Sequence, residues 1–442
     1  MECLLENVHP NGAPEPVNVR IADGKFASLD DRDPPGDATI LRGGGLWLLP
    51  GMVDAHVHLN EPGRTEWEGW TSGTHAAALG GVTTLAEMPL NAIPPTNTAE
   101  AFALKLAAAK DKARVDFALW GGLVPDNLEH LSALADCGVI GFKAFMSPSG
   151  TDDFAHSDAR TLKAGMERIT PLGLPLALHA EAPLVLERET AANHPRTARG
   201  FEAARPREAE LTAIRTALDL AGETGCRVHI VHVSCPEGVD LIADYRERGV
   251  CVTCETCTHY LTLTLDDVER LGAVAKCAPP IRTPDALPAL WERLRDGLIQ
   301  TVGSDHSPAP SELKTGDYIE AWGGISGLQH AYSLLLDAHL DANRSSVLRL
   351  CEVCCMEPAH LLGLADRKGS LAPGKDADAV LFDPAAQTVV ATEALAYRHP
   401  HAPYVGRTLK GAVCHVLLRG WKIVQDGQSV GVPAGRLLKP SF

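Results

Sequence analysis

The chain has 442 residues, 45% of them hydrophobic and 22% charged, a globular balance with enough apolar material for a large core. Its formal net charge of −16 and isoelectric point near 5.5 argue against nucleic acid and anionic membrane surfaces, both of which reward Lys and Arg. No apolar run reaches the roughly 18 residues of a membrane span, and the start from Met1 to Asn7 lacks the basic and apolar regions of a secretory signal. A cytoplasmic protein with a small-molecule substrate, and no nucleic-acid or membrane partner, is therefore expected.

The N-terminal stretch reads as short antiparallel strands. Val17 to Ile21 and Lys25 to Leu29 alternate on either side of Asp23-Gly24, a dipeptide suited to a two-residue hairpin. The C-terminal stretch reads the same way, with Ala379 to Asp383, Val413 to Leu418 and Arg419 to Val424. Strands at both ends of a strand–helix repeat predict one discontinuous β-sandwich domain, residues 1–50 with 366–442, flanking an inserted domain over 51–365.

Within the insert, strand-like runs alternate with helix-like ones. The strands are predicted at Leu46 to Val53, Val82 to Glu87, Val115 to Trp120, Val139 to Phe145, Pro175 to His179, Arg227 to Val233, Val250 to Cys254 and Leu298 to Val302. Ala99 to Lys112 and Ala209 to Glu223 carry helical composition and period between them. Eight such units predict an α/β fold of the (β/α)₈ barrel type.

Metal-binding residue types stand at or just past the ends of five of these strands. They are His56-Val57-His58, Lys143, His179, His232 and Asp305. Period two along a strand puts His56 and His58 on one face. Lys143 sits in Gly141-Phe142-Lys143-Ala144-Phe145, where burial favours the neutral amine, and a neutral amine can take up carbon dioxide as an anionic carbamate. Taken singly, His179 and His232 read as hydrogen-bonded core histidines and Asp305 as a helix cap. Taken together on one barrel rim, the five groups predict a metal-dependent enzyme.

Two cysteine clusters look like rival metal sites. Cys251, Cys254 and Cys257 fall on a strand-like run, and Cys351, Cys354 and Cys355 fall in the helix-like stretch from Ser346 to Leu362 without further Cys or His at ligand spacing. Both are read as structural thiols.

The residues now carry a family resemblance. The Pro50-Gly51 entry, the barrel pattern and the return GSLAPGKDAD at 369–378 resemble the amidohydrolase superfamily. HVHLNEPGRTEWEGW at 56–70, MPLNAIPPT at 88–96 and KCAPPIR at 276–282 resemble, within its cyclic amidase branch, the allantoinases. Thr258 stands where relatives usually have Pro, and Ala144 where they often have Cys. A dihydroorotase would be expected to carry Arg at position 60 to hold a carboxylate; Asn60 suits an uncharged ring, with Arg64 nearby.

The resemblance implies two divalent ions, zinc first and cobalt, manganese or iron as alternatives. His56, His58, carboxylated Lys143 and Asp305 would hold one ion, and Lys143, His179 and His232 the other. A bridging hydroxide would open the hydantoin ring of allantoin to allantoate, with Asp305 as base and then acid. Asn60, Ser307, Cys277 and Ala278 would position the ring. The resemblance also implies a homo-oligomer, a tetramer. A dihydropyrimidinase or hydantoinase is the nearer alternative, and a metal-free scaffold the more distant one.

Overall fold

Eight buried parallel segments form the barrel: Met52–Val57, Val82–Glu87, Asp116–Leu119 continuing into Gly121–Gly122, Phe142–Phe145, Leu176–His179, Val228–Ile230, Val252–Cys257 and Thr301–Gly303. Their near-continuous apolar composition suits strands covered on both faces. The protein is seen as a computed structural model that describes residues 2–31, 38–193 and 195–441. Hydrogen bonding runs in one arc of three strands and another of six. The ring closes through a parallel bridge between Val57 and His306, and through Ile140 N–H donating to Leu119 O at 3.0 Å.

Two helices of the outer layer show how the sequence sets their ends. Ala99–Ala109 starts at Thr98, whose side chain accepts from Ala101 N–H. Arg207–Thr224 follows Pro206 and stops at Gly225, which takes a left-handed φ of 71°. The stretch carrying Cys351, Cys354 and Cys355 is also helical, with a π turn over Glu352–Met356 ahead of Pro358, and it buries all three thiols.

The predicted strand Leu46 to Val53 is two strands in two sheets. Trp47–Pro50 belongs to the terminal sheet and Met52–Val57 to the barrel, with Gly51 as the crossing. A Cβ on Gly51 would lie 2.1 Å from Thr83 Oγ1, so the chain passes there only with glycine. The terminal sheet joins strands from both ends of the sequence, because Trp47–Pro50 pairs antiparallel with Ala379 to Phe382. The Asp23-Gly24 hairpin forms as expected, with both residues at positive φ, 49° and 78°. Cys3, Leu5, Ile21, Phe26, Leu381 and Leu417 share one apolar cluster, so the sheet's two halves enclose a core of their own.

The chain's end does not stay in that sheet. Phe117 N–H donates to Arg436 O at 3.0 Å and Leu438 N–H to Phe117 O at 2.7 Å, which lays the tail along the third barrel strand. At the head of the same strand, buried Asp116 accepts from Lys368 Nζ at 2.7 Å, from Arg436 N–H at 2.9 Å and from Arg419. Lys368 also reaches Asp378 Oδ2 at 2.6 Å. This ion cluster ties the terminal sheet to the barrel. Lys368→Ala is expected to lower unfolding stability by about 3–5 kcal/mol, because it leaves buried carboxylates uncompensated; denaturant melts of the two proteins measure it.

Candidate active site

All six predicted metal-binding residues meet at the C-terminal rim of the barrel. His56 is the penultimate residue of its strand and His58 lies just beyond the end. His232 and Asp305 each follow their strand by two residues and turn through a left-handed φ, 41° and 43°. That strained conformation bends each side chain inward from the rim. His56 Nε2 and His58 Nε2 stand 3.3 Å and 3.6 Å from one oxygen, Asp305 Oδ1. The rings of His56 and His232 are 5.5 Å apart, and those of His179 and His232 are 4.7 Å apart.

The histidines are prepared as bases. His58 Nδ1–H donates to Leu90 O at 2.9 Å, since a carbonyl can only accept, which leaves Nε2 turned to the site. His56 Nδ1–H likewise donates to Glu255 Oε1 at 2.7 Å. Burial and Asp305 push the Glu255 carboxyl up to about 8, opposed by Lys143. Its Oε1 also accepts from His232 N–H at 3.3 Å, which offsets part of that rise. Burial holds His56, His179 and His232 below the usual imidazole range, so they are neutral. Burial raises the Asp305 carboxyl, but positive charge at the His56 and His58 nitrogens beside it, whether a proton or a cation, outweighs that and holds it well below the carboxylate range.

Lys143 is fully buried, and its Nζ has no hydrogen-bond partner among the described residues. Burial pushes it down to about 8, against the pull of Asp305 and Glu255. An ammonium without an acceptor would be costly there. His179 Nδ1 and His232 Nε2 face each other at 3.0 Å, so a proton or a cation must lie between the two lone pairs. Bare imidazole nitrogens, an ionised carboxylate and an unpartnered amine suit divalent metal. His56, His58 and Asp305 offer ligand atoms within 4.8 Å of one another.

A cavity of about 460 Å³ opens onto this rim, and Ser307, Cys277 and Ala278 line it. Asn60 does not. Its φ of 63° turns it behind the wall, where Nδ2 donates to Pro308 O at 3.3 Å and Oδ1 accepts from Asn91 Nδ2 at 3.2 Å. Asn91 is the amide that faces the cavity. Arg64 also stays out of the lining, because it pairs with Asp153 at 3.2 Å and 3.3 Å and donates to Asn91 O.

Sequence reading passed over several contributors. Asp54 accepts from His56 N–H at 3.2 Å and Ser304 N–H at 3.2 Å, linking first and last strands, and burial pushes its carboxyl up to about 7. Asp54 shares the strand face of His56 and His58, so period two was its available signal. Glu181, two residues after His179, carried the same signal. Glu255 lay within the run read for its cysteines, and Asn91 within a motif read only for its resemblance. Among those cysteines Cys251 is exposed and Cys254 buried, while Cys257 comes within 4.8 Å of His259 and Asp305, so it is not remote from the site.

Residues 47–423 match the Amidohydrolase family. The chain belongs to that family and is a hydrolase of the amidohydrolase class. It is 48% identical over 433 residues to the allantoinase of Rubrobacter xylanophilus, covering 97% of this chain and 95% of that one. The allantoinase of Deinococcus radiodurans is 44% identical over 428 residues, covering 96% and 95%. Within the family the chain's place is with the allantoinases. The L-hydantoinase (dihydropyrimidinase) of Arthrobacter aurescens superposes with a TM-score of 0.95 at 33% identity, covering 99% of this chain and 100% of that one. The dihydropyrimidinase of Brevibacillus agri NCHU1002 gives 0.91 at 30%, covering 100% and 99%.

The cavity thiol is inert. Cys277 is buried, donates to Pro279 O at 3.3 Å, and is pushed up to about 12 by burial and Asp305. Cys277→Ala is expected to keep turnover within a factor of about ten, whereas loss of a covalent nucleophile would abolish it; initial rates decide.

Proposed function

We propose that this protein hydrolyses the hydantoin ring of allantoin to allantoate. The observation that carries the reading is full-length relationship to allantoinases in a chain whose rim holds the complete set His56, His58, Lys143, His179, His232 and Asp305. A neutral ring also suits the cavity, since Arg64 is committed to Asp153 and Arg205 to Glu181.

In this reading His56, His58, Lys143 and Asp305 hold one divalent ion and Lys143, His179 and His232 a second. Zinc is the proposed ion, with cobalt, manganese and iron chemically admissible. Bound there, such ions would supply a water activated at neutral pH and polarisation of the carbonyl under attack. Lys143 enters as its carbamate: the neutral Nζ attacks carbon dioxide, an N–C bond forms, and a proton is lost from nitrogen. Asp305 takes the proton of the attacking water and returns it to the ring nitrogen as the C–N bond breaks. Asn91, Ser307 and the Cys277-Ala278 backbone position the ring, and Asn60 supports Asn91 from behind. The free cysteines fit the cytoplasm, and the assembly proposed is a homotetramer, to be measured by light scattering.

The second reading is a dihydropyrimidinase or hydantoinase, favoured by the superposition on proteins of those names. Allantoin, dihydrouracil and dihydroorotate offered to the same protein, with chelator and with metal restored, separate the readings. Metal-dependent release of allantoate at the highest kcat/KM supports allantoinase; faster opening of dihydrouracil replaces it with the second reading.

Lys143→Ala is expected to bind much less metal and to regain part of it with added short carboxylates, read by elemental analysis. Full metal content in that variant would remove the bridging role. Asp305→Asn is expected to lower kcat by about 10²–10⁴-fold with a smaller loss of metal, since an amide oxygen still coordinates but takes up no proton.

A further inference from the structure

The outer nitrogen of His179 leads away from the rim to a second pair of residues. His179 Nε2–H donates to Glu181 Oε2 at 2.8 Å, and Arg205 Nη1 donates to that same oxygen. Glu181 is buried, and its Oε2 is shared between the two donors. An oxygen that accepts from the guanidinium is an acceptor toward His179 as well, so the His179 proton is kept on Nε2 and the lone pair of Nδ1 is turned toward His232 Nε2, 3.0 Å away. Phe145, stacked on the His179 ring at 4.5 Å and 14°, limits its rotation. Arg205 is meanwhile part of the cavity wall, with its guanidinium over the Phe201 ring at 5.3 Å.

We propose that Arg205 and Glu181 are a positioning pair that selects the coordinating nitrogen of His179 and so sets the affinity of one of the two cation positions. Arg205 acts only through Glu181, and Glu181 only through His179. The other cation position has its own orienting groups, Glu255 and Leu90 O, and is independent of the pair. The inference rests on the two-ion reading above and not on the identity of the substrate.

The experiment is a zinc and cobalt titration of the full-length protein and its Glu181→Gln, Arg205→Met, Arg205→Lys and double Gln/Met variants, followed by calorimetry and by the visible spectrum of bound cobalt. Glu181→Gln and Arg205→Met are each expected to weaken one ion by about 10–100-fold and leave the other unchanged. Arg205→Lys, which keeps the charge, is expected to restore most of the affinity. The double variant should be no weaker than Glu181→Gln alone, because the two residues act in series. Wild-type affinity for both ions in Glu181→Gln would overturn the proposal. So would an Arg205→Met protein that raises KM with both affinities intact, since that is the signature of a substrate contact alone. Arg205→Lys serves as the folding control, and none of these readouts needs allantoin to be the substrate.

Discussion

An imidazole can give a lone pair to a cation from one nitrogen only if its proton is kept on the other, and the rim of this barrel is organised around that requirement. His56 is satisfied by Glu255, His58 by the Leu90 carbonyl and His179 by Glu181. The first two therefore present Nε2, and His179 presents Nδ1. Burial assists by holding His56, His179 and His232 below the usual imidazole range. His56, His58 and His179 thus each have one ring nitrogen bound to a protein acceptor, while Lys143 Nζ and His232 Nδ1 have no hydrogen-bond partner among the described residues.

That arrangement depends on the barrel closing in register. Asp54 binds backbone amides of the first strand and of the loop after the last, so the seam of the ring runs directly beneath His56 and Asp305. The seam is steadied from outside by the terminal sheet. Gly51 N–H donates to Asp378 O at 3.0 Å where the chain passes from one sheet to the other, and Lys368 joins Asp378 to Asp116 of the third strand. The small sheet is therefore part of what holds the rim in shape.

The wall of the cavity is braced by two further buried lysines. Lys276 donates to the Tyr318 and Ala321 carbonyls, and Lys314 to those of Trp322 and Gly324, so backbone oxygens of the cavity-lining segment are gathered by two ammonium groups. Burial pushes Lys276 down to about 8 and Lys314 to about 7, the desolvation cost of using cations as clamps. These lysines, Arg64 and Arg205 are all engaged by protein atoms, and the cavity lining includes the Asn91 amide and the Ser307 hydroxyl.

The six rim residues were legible in the chain because each is a polar residue near or just past the end of an apolar strand. Strand period and strand order are local properties, so eight βα units imply one rim without knowledge of any contact. The Asp23-Gly24 hairpin was legible for the same reason. The break of Leu46 to Val53 into two sheets was not, since Pro50-Gly51 leaves the apolar pattern uninterrupted and only the pairing partners differ. Nor was the exchange of Asn60 for Asn91 at the cavity wall, which follows from one left-handed φ. The sequence by itself determined which side chains reach the rim. Only the tertiary structure decided which nitrogen of each histidine is free and which cation is already engaged, because the deciding partners, such as Glu255 for His56 across 199 residues, are brought close by closure of the barrel and by nothing local.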